Sequence, residues 1–139
     1  VPRRVRIVFN TVITSGDPIA VRLPEGPTLH AQVIAANAVF SPKPILGGTQ
    51  APNAIHGYDQ VGVFLNGIQP GRPFHPYPMD ERLRCAPLDS KLTESLPEAA
   101  CDFNGRRRTQ AFCGAYAGSG RNPGWLPSLA IKPRTDCAR

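Results

Sequence analysis

No cysteine precedes Cys85 in this 139-residue chain, yet four follow: Cys85, Cys101, Cys113 and Cys137. No two of them form a CxxC pair and no histidine lies near them in sequence, which speaks against a zinc site. An even count at loop-scale spacing reads instead as two disulfides in a small exported domain. The favoured pairing joins sequence neighbours, Cys85 with Cys101 and Cys113 with Cys137; the other two pairings stay open. No run approaches the ~18 apolar residues of a membrane span, so membrane insertion is not expected. No Asn-x-Ser/Thr sequon occurs. The start at Val1-Pro2 is that expected of a mature protein whose leader has been removed. These features together predict a secreted, extracellular protein.

Catalytic motifs are scarce too. The three histidines, His30, His56 and His75, belong to no HxH or HExxH spacing, and there is no GxSxG elbow or phosphate-cradling glycine loop. With the cysteines oxidised there is no thiolate nucleophile. The expectation is a non-enzymatic protein without cofactor or metal.

What the chain has in abundance is proline, 16 residues, with 13 glycines. Proline-shaped loops on a stapled core lose little entropy on docking and make a good binding surface. The net charge is +6, with 13 arginines against three lysines, and arginine suits planar contacts to carboxylate or phosphate. Acidic side chains are interspersed among the basic ones, giving a mixed surface rather than one strong patch.

The β-branched run Val5 to Thr14 reads as a strand, followed by a turn at Gly16-Asp17-Pro18 and a second strand from Ile19 to Leu23. Pro24 to Pro27 reads as a turn; the alanines of Leu29 to Phe40 permit a helix, but the alternation of Leu29, Ala31 and Val33 with His30 and Gln32 favours a further strand. Residues 41–59 read as a long loop, Gln60 to Leu65 as a strand, and Asn66-Gly67 as its closing turn. Leu88, Leu92 and Leu96 suggest one short helix capped by Asp89 or Ser90 and stopped by Pro97. Asn104-Gly105 looks like a hairpin tip before a strand from Arg107 to Tyr116, with a last strand near Ser128 to Ile131. No internal repeat is apparent. The predicted architecture is a single mainly β domain over residues 1–139: a six- to seven-stranded sandwich or barrel with long Pro/Gly-rich loops and one short helix.

Three local resemblances bear on function. The segment Ile45-Leu46-Gly47-Gly48, inside a proline-braced loop, is similar to the Leu-Val-Gly-Gly arm of cystatins. Gln60-Val61-Gly62-Val63 and Pro123-Gly124-Trp125 look like their two inhibitory hairpins. Arg72-Pro73-Phe74 resembles an edge tripeptide of chagasin-type inhibitors. The implied partner is a host papain-like cysteine protease. Loops 43–57 and 69–79 would be the wedge, with Ile45, Leu46, Gly47, Gly48, Arg72, Pro73, Phe74 and Trp125 as contacts. Only 11 residues separate Gly48 from Gln60, leaving no room for the cystatin helix, so the resemblance implies convergence on one cleft.

The stretch from Arg108 to Gly118, around Phe112-Cys113-Gly114, resembles a late strand of T1- and ribotoxin-type ribonucleases. Tyr116, Ser119 and Arg121 stand where that family carries its histidine. The alternative reading is thus an RNA-binding domain, active or degenerate, using Arg82, Arg84, Arg106, Arg107 and Arg108, with His75 and Glu81 as its acid–base pair. A third is a lectin-like adhesin with Tyr77, Tyr116 and Trp125 as stacking platforms. In general type the chain resembles the small secreted virulence effectors of plant-pathogenic fungi.

Overall fold

Three segments share one pattern: Asn10-Thr11-Val12-Ile13, Asn37-Ala38-Val39-Phe40 and Asn53-Ala54-Ile55-His56. In each, an Asn precedes a small residue, a branched aliphatic and a larger ring or aliphatic. The structure, a computed structural model that describes residues 4–22, 31–133 and 137, folds all three into the same unit. A short strand runs up to the Asn: β1 (Arg6–Val8), β3 (Val33–Ala35) and β5 (Thr49–Gln50). Another leaves it: β2 (Thr11–Ile13), β4 (Ala38–Phe40) and β6 (Ala54–His56). The first set forms a parallel sheet in the order β1-β3-β5, the second a parallel sheet in the order β2-β4-β6. A parallel bridge between Ala20 and Leu46 adds a third side. The chain therefore winds as a short coil, each turn stacked on the last.

The corner between the two sheets explains the repeat. Phe9 and Ala36, each just before its Asn, sit at φ 57° and 54°, a left-handed conformation that costs about 1–2 kcal/mol in a non-glycine residue. The asparagines offset that cost by hydrogen bonding up the stack. Asn10 donates through its backbone and side chain to Asn37 Oδ1 at 2.9 and 3.1 Å, and Asn37 likewise to Asn53 Oδ1 at 3.0 Å. Asn37 is fully buried, and every bond it makes replaces water it has lost.

Side-chain alternation then divides the core. Ile34, Val39, Ile19 and Ile45 fill the coil interior, flanked by Ile7, Val12 and Val21. Ala38 and Phe40 face outward into a second cluster with Leu65, Leu83 and Phe112. That second cluster is built by the rest of the chain. After a 3-10 turn at Tyr58–Gln60 comes the one α-helix, α1 (Val61–Phe64), then the antiparallel pair β7 (Leu65–Gly67) and β8 (His75–Pro78). Beyond them lie 3-10 turns at Glu81–Leu83, Ser90–Leu92 and Pro97–Ala100. Gly114 lies flat on the coil. Its N–H reaches Ala36 O at 2.8 Å, and a Cβ there would come within 2.8 Å of Thr11 Oγ1.

The expectation of a mainly β chain with one short helix holds, but among the described residues the strands are eight short ones in three small sheets, with no closed barrel. The long strands expected over 5–14 and 29–40 are each cut by the left-handed corner, and residues 29 and 30 lie outside the described residues. From 19–23 only the Ala20 bridge forms, Leu23 lying outside them too, as does the turn at 24–27. The loop over 41–59 contains β5 and β6. Residues 61–64 are helical rather than extended, and Asn66-Gly67 lies in a strand rather than a turn. The leucine-spaced helix becomes two 3-10 turns, with Asp89 capping the first and Pro97 opening the second. Arg107 to Tyr116 forms only isolated bridges at Arg107 and Phe112. Residues 128–131 form no strand.

The favoured cysteine pairing is also corrected. Cys101 joins Cys137, their Cα atoms 5.7 Å apart. Cys85 and Cys113 are thiols that hydrogen-bond to each other. An antiparallel bridge between Arg84 and Phe112 brings them together, with the Cys85 N–H on Ala111 O and the Cys113 N–H on Leu83 O.

Candidate functional site

Ile45 and Leu46 are adjacent, and the strand-like backbone sends them to opposite sides. Ile45 is in the coil interior, while Leu46 is 52% exposed. The Leu46 N–H donates to Ile19 O at 3.0 Å, and its carbonyl accepts from the Val21 N–H at 2.9 Å. Gly47 and Gly48 follow at φ 75° and 65°. A Cβ on Gly47 would collide with the Val21 carbonyl, so the glycines serve the bend. Leu46 is thus an exposed apolar side chain on a pinned backbone, at a corner where the chain turns away.

Arg72 and Pro73 are exposed, and Phe74 is 46% exposed on the loop before β8. Trp125 is half-buried against Phe103, ring centroids 5.9 Å apart. The platforms expected of an adhesin are not on the surface: Tyr77 and Tyr116 are buried and meet edge to face at 5.0 Å.

The five arginines expected to face RNA are divided among three environments. Arg82 pairs with Asp80 at 2.7 Å, which holds that carboxyl below its ordinary range, and Arg84 pairs with Glu81 at 2.8 Å. Arg108 is drawn inward. It donates to the carbonyls of Cys101, Gly114 and Ala115 at 3.1–3.2 Å and lies 4.0 Å from the centroid of the Phe9 ring. Burial lowers its guanidinium to about 10, with Asp102 opposing. Of the five, Arg106 and Arg107 have no side-chain partner among the described residues. His75 and Glu81 do not act as a pair: the His75 Nε2 is buried without a hydrogen-bond partner, and Glu81 is engaged by Arg84. His56 is stacked on Phe64 at 4.0 Å, and burial there pushes its imidazole below the ordinary value. His30 lies outside the described residues.

One polar hollow was not anticipated. A cavity of about 430 Å³ opens beside the Asn104-Gly105 tip, walled by Tyr77, Glu81, Arg106, Arg107, Gln110 and Ser119. Asp102 fixes its floor by accepting from the N–H groups of Asn104, Arg106 and Ala117. Sequence could have offered only the hairpin tip and its arginines; the opposite wall comes from residues at 77 and 81. Among the described residues no group of three His, Cys, Asp or Glu side chains could hold a metal ion. Nor, among them, is any helix long and apolar enough to cross a membrane. No family model, no curated protein and no solved structure matches the chain.

Proposed function

We propose that this is a secreted, non-enzymatic binding protein of the effector type that blocks a papain-like cysteine protease by seating Leu46 in its apolar pocket. The observation that carries the reading is the pairing of exposure with rigidity at Leu46. Its side chain is 52% exposed while both of its backbone groups are hydrogen-bonded to the neighbouring turn of the coil. A side chain already held in place loses little freedom on docking, and a backbone already paired is a poor substrate. The bend at Gly47-Gly48 makes this a corner plugged into the cleft rather than an extended arm laid through it. Phe74, also exposed, is the second contact. The Cys101–Cys137 bond is compatible with an oxidising compartment.

Titrating the oxidised protein into papain with a fluorogenic substrate tests this directly. Stoichiometric, reversible loss of activity is expected. Leu46→Asp should abolish it while the thermal midpoint stays put, because Leu46 is tied down through backbone alone. Inhibition that survives this substitution, or none at micromolar protein, sinks the proposal.

A further inference from the structure

The polar hollow at the Asn104-Gly105 tip has the features of a binding site for a different kind of ligand. Its walls are fixed before anything binds. Arg84 Nη2 bridges Glu81 Oε1 at 2.8 Å and Gln110 Oε1 at 3.1 Å. Asp102 is held by three backbone N–H groups, and Gly118 closes under Tyr77, where a Cβ would meet the phenol oxygen at 2.7 Å. Against that fixed frame stand groups with nothing to bind. Arg106 and Arg107 have no ion pair or side-chain hydrogen bond among the described residues, and neither do the hydroxyls of Thr109 and Ser119. The volume of about 430 Å³ falls in the range of small-molecule sites, roughly 300–1,000 Å³.

We propose that this hollow binds a small hydroxylated carboxylate, in chemical class a sugar acid. The two unpaired guanidinia select an anion. Glu81 is cancelled by Arg84, and Asp102 lies beside the half-buried Arg108, which leaves Arg106 and Arg107 as the uncompensated cations of the hollow. The planar fork of an arginine matches two carboxylate oxygens, and the hydroxyl and amide groups of Thr109, Ser119 and Gln110 match ligand hydroxyls.

The test is a titration of the intact protein with glucuronate, followed by amide chemical shifts, with glucose and inorganic phosphate run at equal ionic strength. Saturable shifts confined to the hollow are expected, with a dissociation constant on the order of 1 mM and at least tenfold weaker binding of glucose. The double variant Arg106→Ala/Arg107→Ala should weaken glucuronate at least tenfold without moving the thermal midpoint, since both side chains are exposed. Leu46→Asp should leave it unchanged, which separates this site from the protease-binding corner. Equal affinity for glucose, tighter binding of phosphate or of an oligoribonucleotide, an unaffected double variant, or no saturation by tens of millimolar would each overturn the proposal.

Discussion

The two halves of this molecule achieve order by different means. In the coil, residues 4–22 and 31–56, one corner is repeated and each turn templates the next through backbone ladders and stacked asparagines. In the half that follows β8, regular ladders give way to isolated bridges. Capping carboxylates, the half-buried Arg108, the Asp102 hub and the Cys101–Cys137 bond hold the chain instead. The coil needs few residue types and little chemistry. The other half depends on particular side chains reaching particular carbonyls, and it is that half which offers the polar hollow. Regular pairing uses up the backbone; irregular backbone leaves groups over that can face a ligand.

Three experiments probe this contrast. The largest effect is expected from Cys101→Ser. The bond closes a loop with sequence separation 36, and restricting the unfolded chain to that extent contributes roughly 4 kcal/mol. Denaturant titration should register the loss. Amide exchange should quicken first between residues 101 and 133 and leave β3 and β4 protected. Early exchange in β3 would show that the halves do not fail separately. Next comes Asn37→Ala, which deprives the Asn10 N–H of its acceptor and empties a fully buried site. About 3 kcal/mol is expected, and here the whole molecule should unfold together, because Phe112 and Gly114 pack on the coil. A loss below 1 kcal/mol in chemical denaturation would mean that the ladder is decoration.

The smallest effect concerns the seam between the halves. The Cys85 thiol lies below its ordinary value because the Cys113 thiol hydrogen-bonds to it and Arg108 is nearby, with burial opposing. Cys113 is pushed up, first by that same bond and then by burial, and its thiol faces Pro52 O at 3.6 Å. As pH rises, Cys85 therefore ionises first. Iodoacetamide at mildly alkaline pH should label Cys85 ahead of Cys113, read by peptide mass spectrometry. Labelling in the opposite order would show that the thiols are not arranged this way.

Much of the strand content was legible in the sequence, and its arrangement was not. Val5 to Thr14 carries the β-branched alternation of one strand. Only the left-handed Phe9 splits it, and an aromatic residue is among the last expected at such a φ. The repeat is hidden in the sequence because successive asparagines are 27 and then 16 residues apart, and because Pro52 replaces the residue that forms the corner in the other turns. The Asn–small–aliphatic signature at 10, 37 and 53 was there to be found. At the corner, Leu46 stands out in the sequence as an apolar side chain beside two glycines, and in the fold it is exposed. Its neighbour Ile45 proved to be core, since adjacent residues in extended chain point opposite ways. For the arginines, sequence adjacency misled: Arg106, Arg107 and Arg108 are consecutive, yet Arg108 turns inward to bind carbonyls while the others face water.

The two complete turns differ in length mainly at one place. Strand registers align the first turn with the second from Arg6 to Ile13; Ile13 to Ala20 is then one residue longer than Phe40 to Leu46, and the stretch from Ala20 to Val33 corresponds to that from Leu46 to Thr49. Circumference is set by the Asn corner and the interior aliphatics, and neither counts the residues spent between the third side and the next strand. That junction is where this architecture accepts foreign sequence. A graft placed between Leu46 and Thr49 would bring the second turn closer to the first in length on an unchanged core.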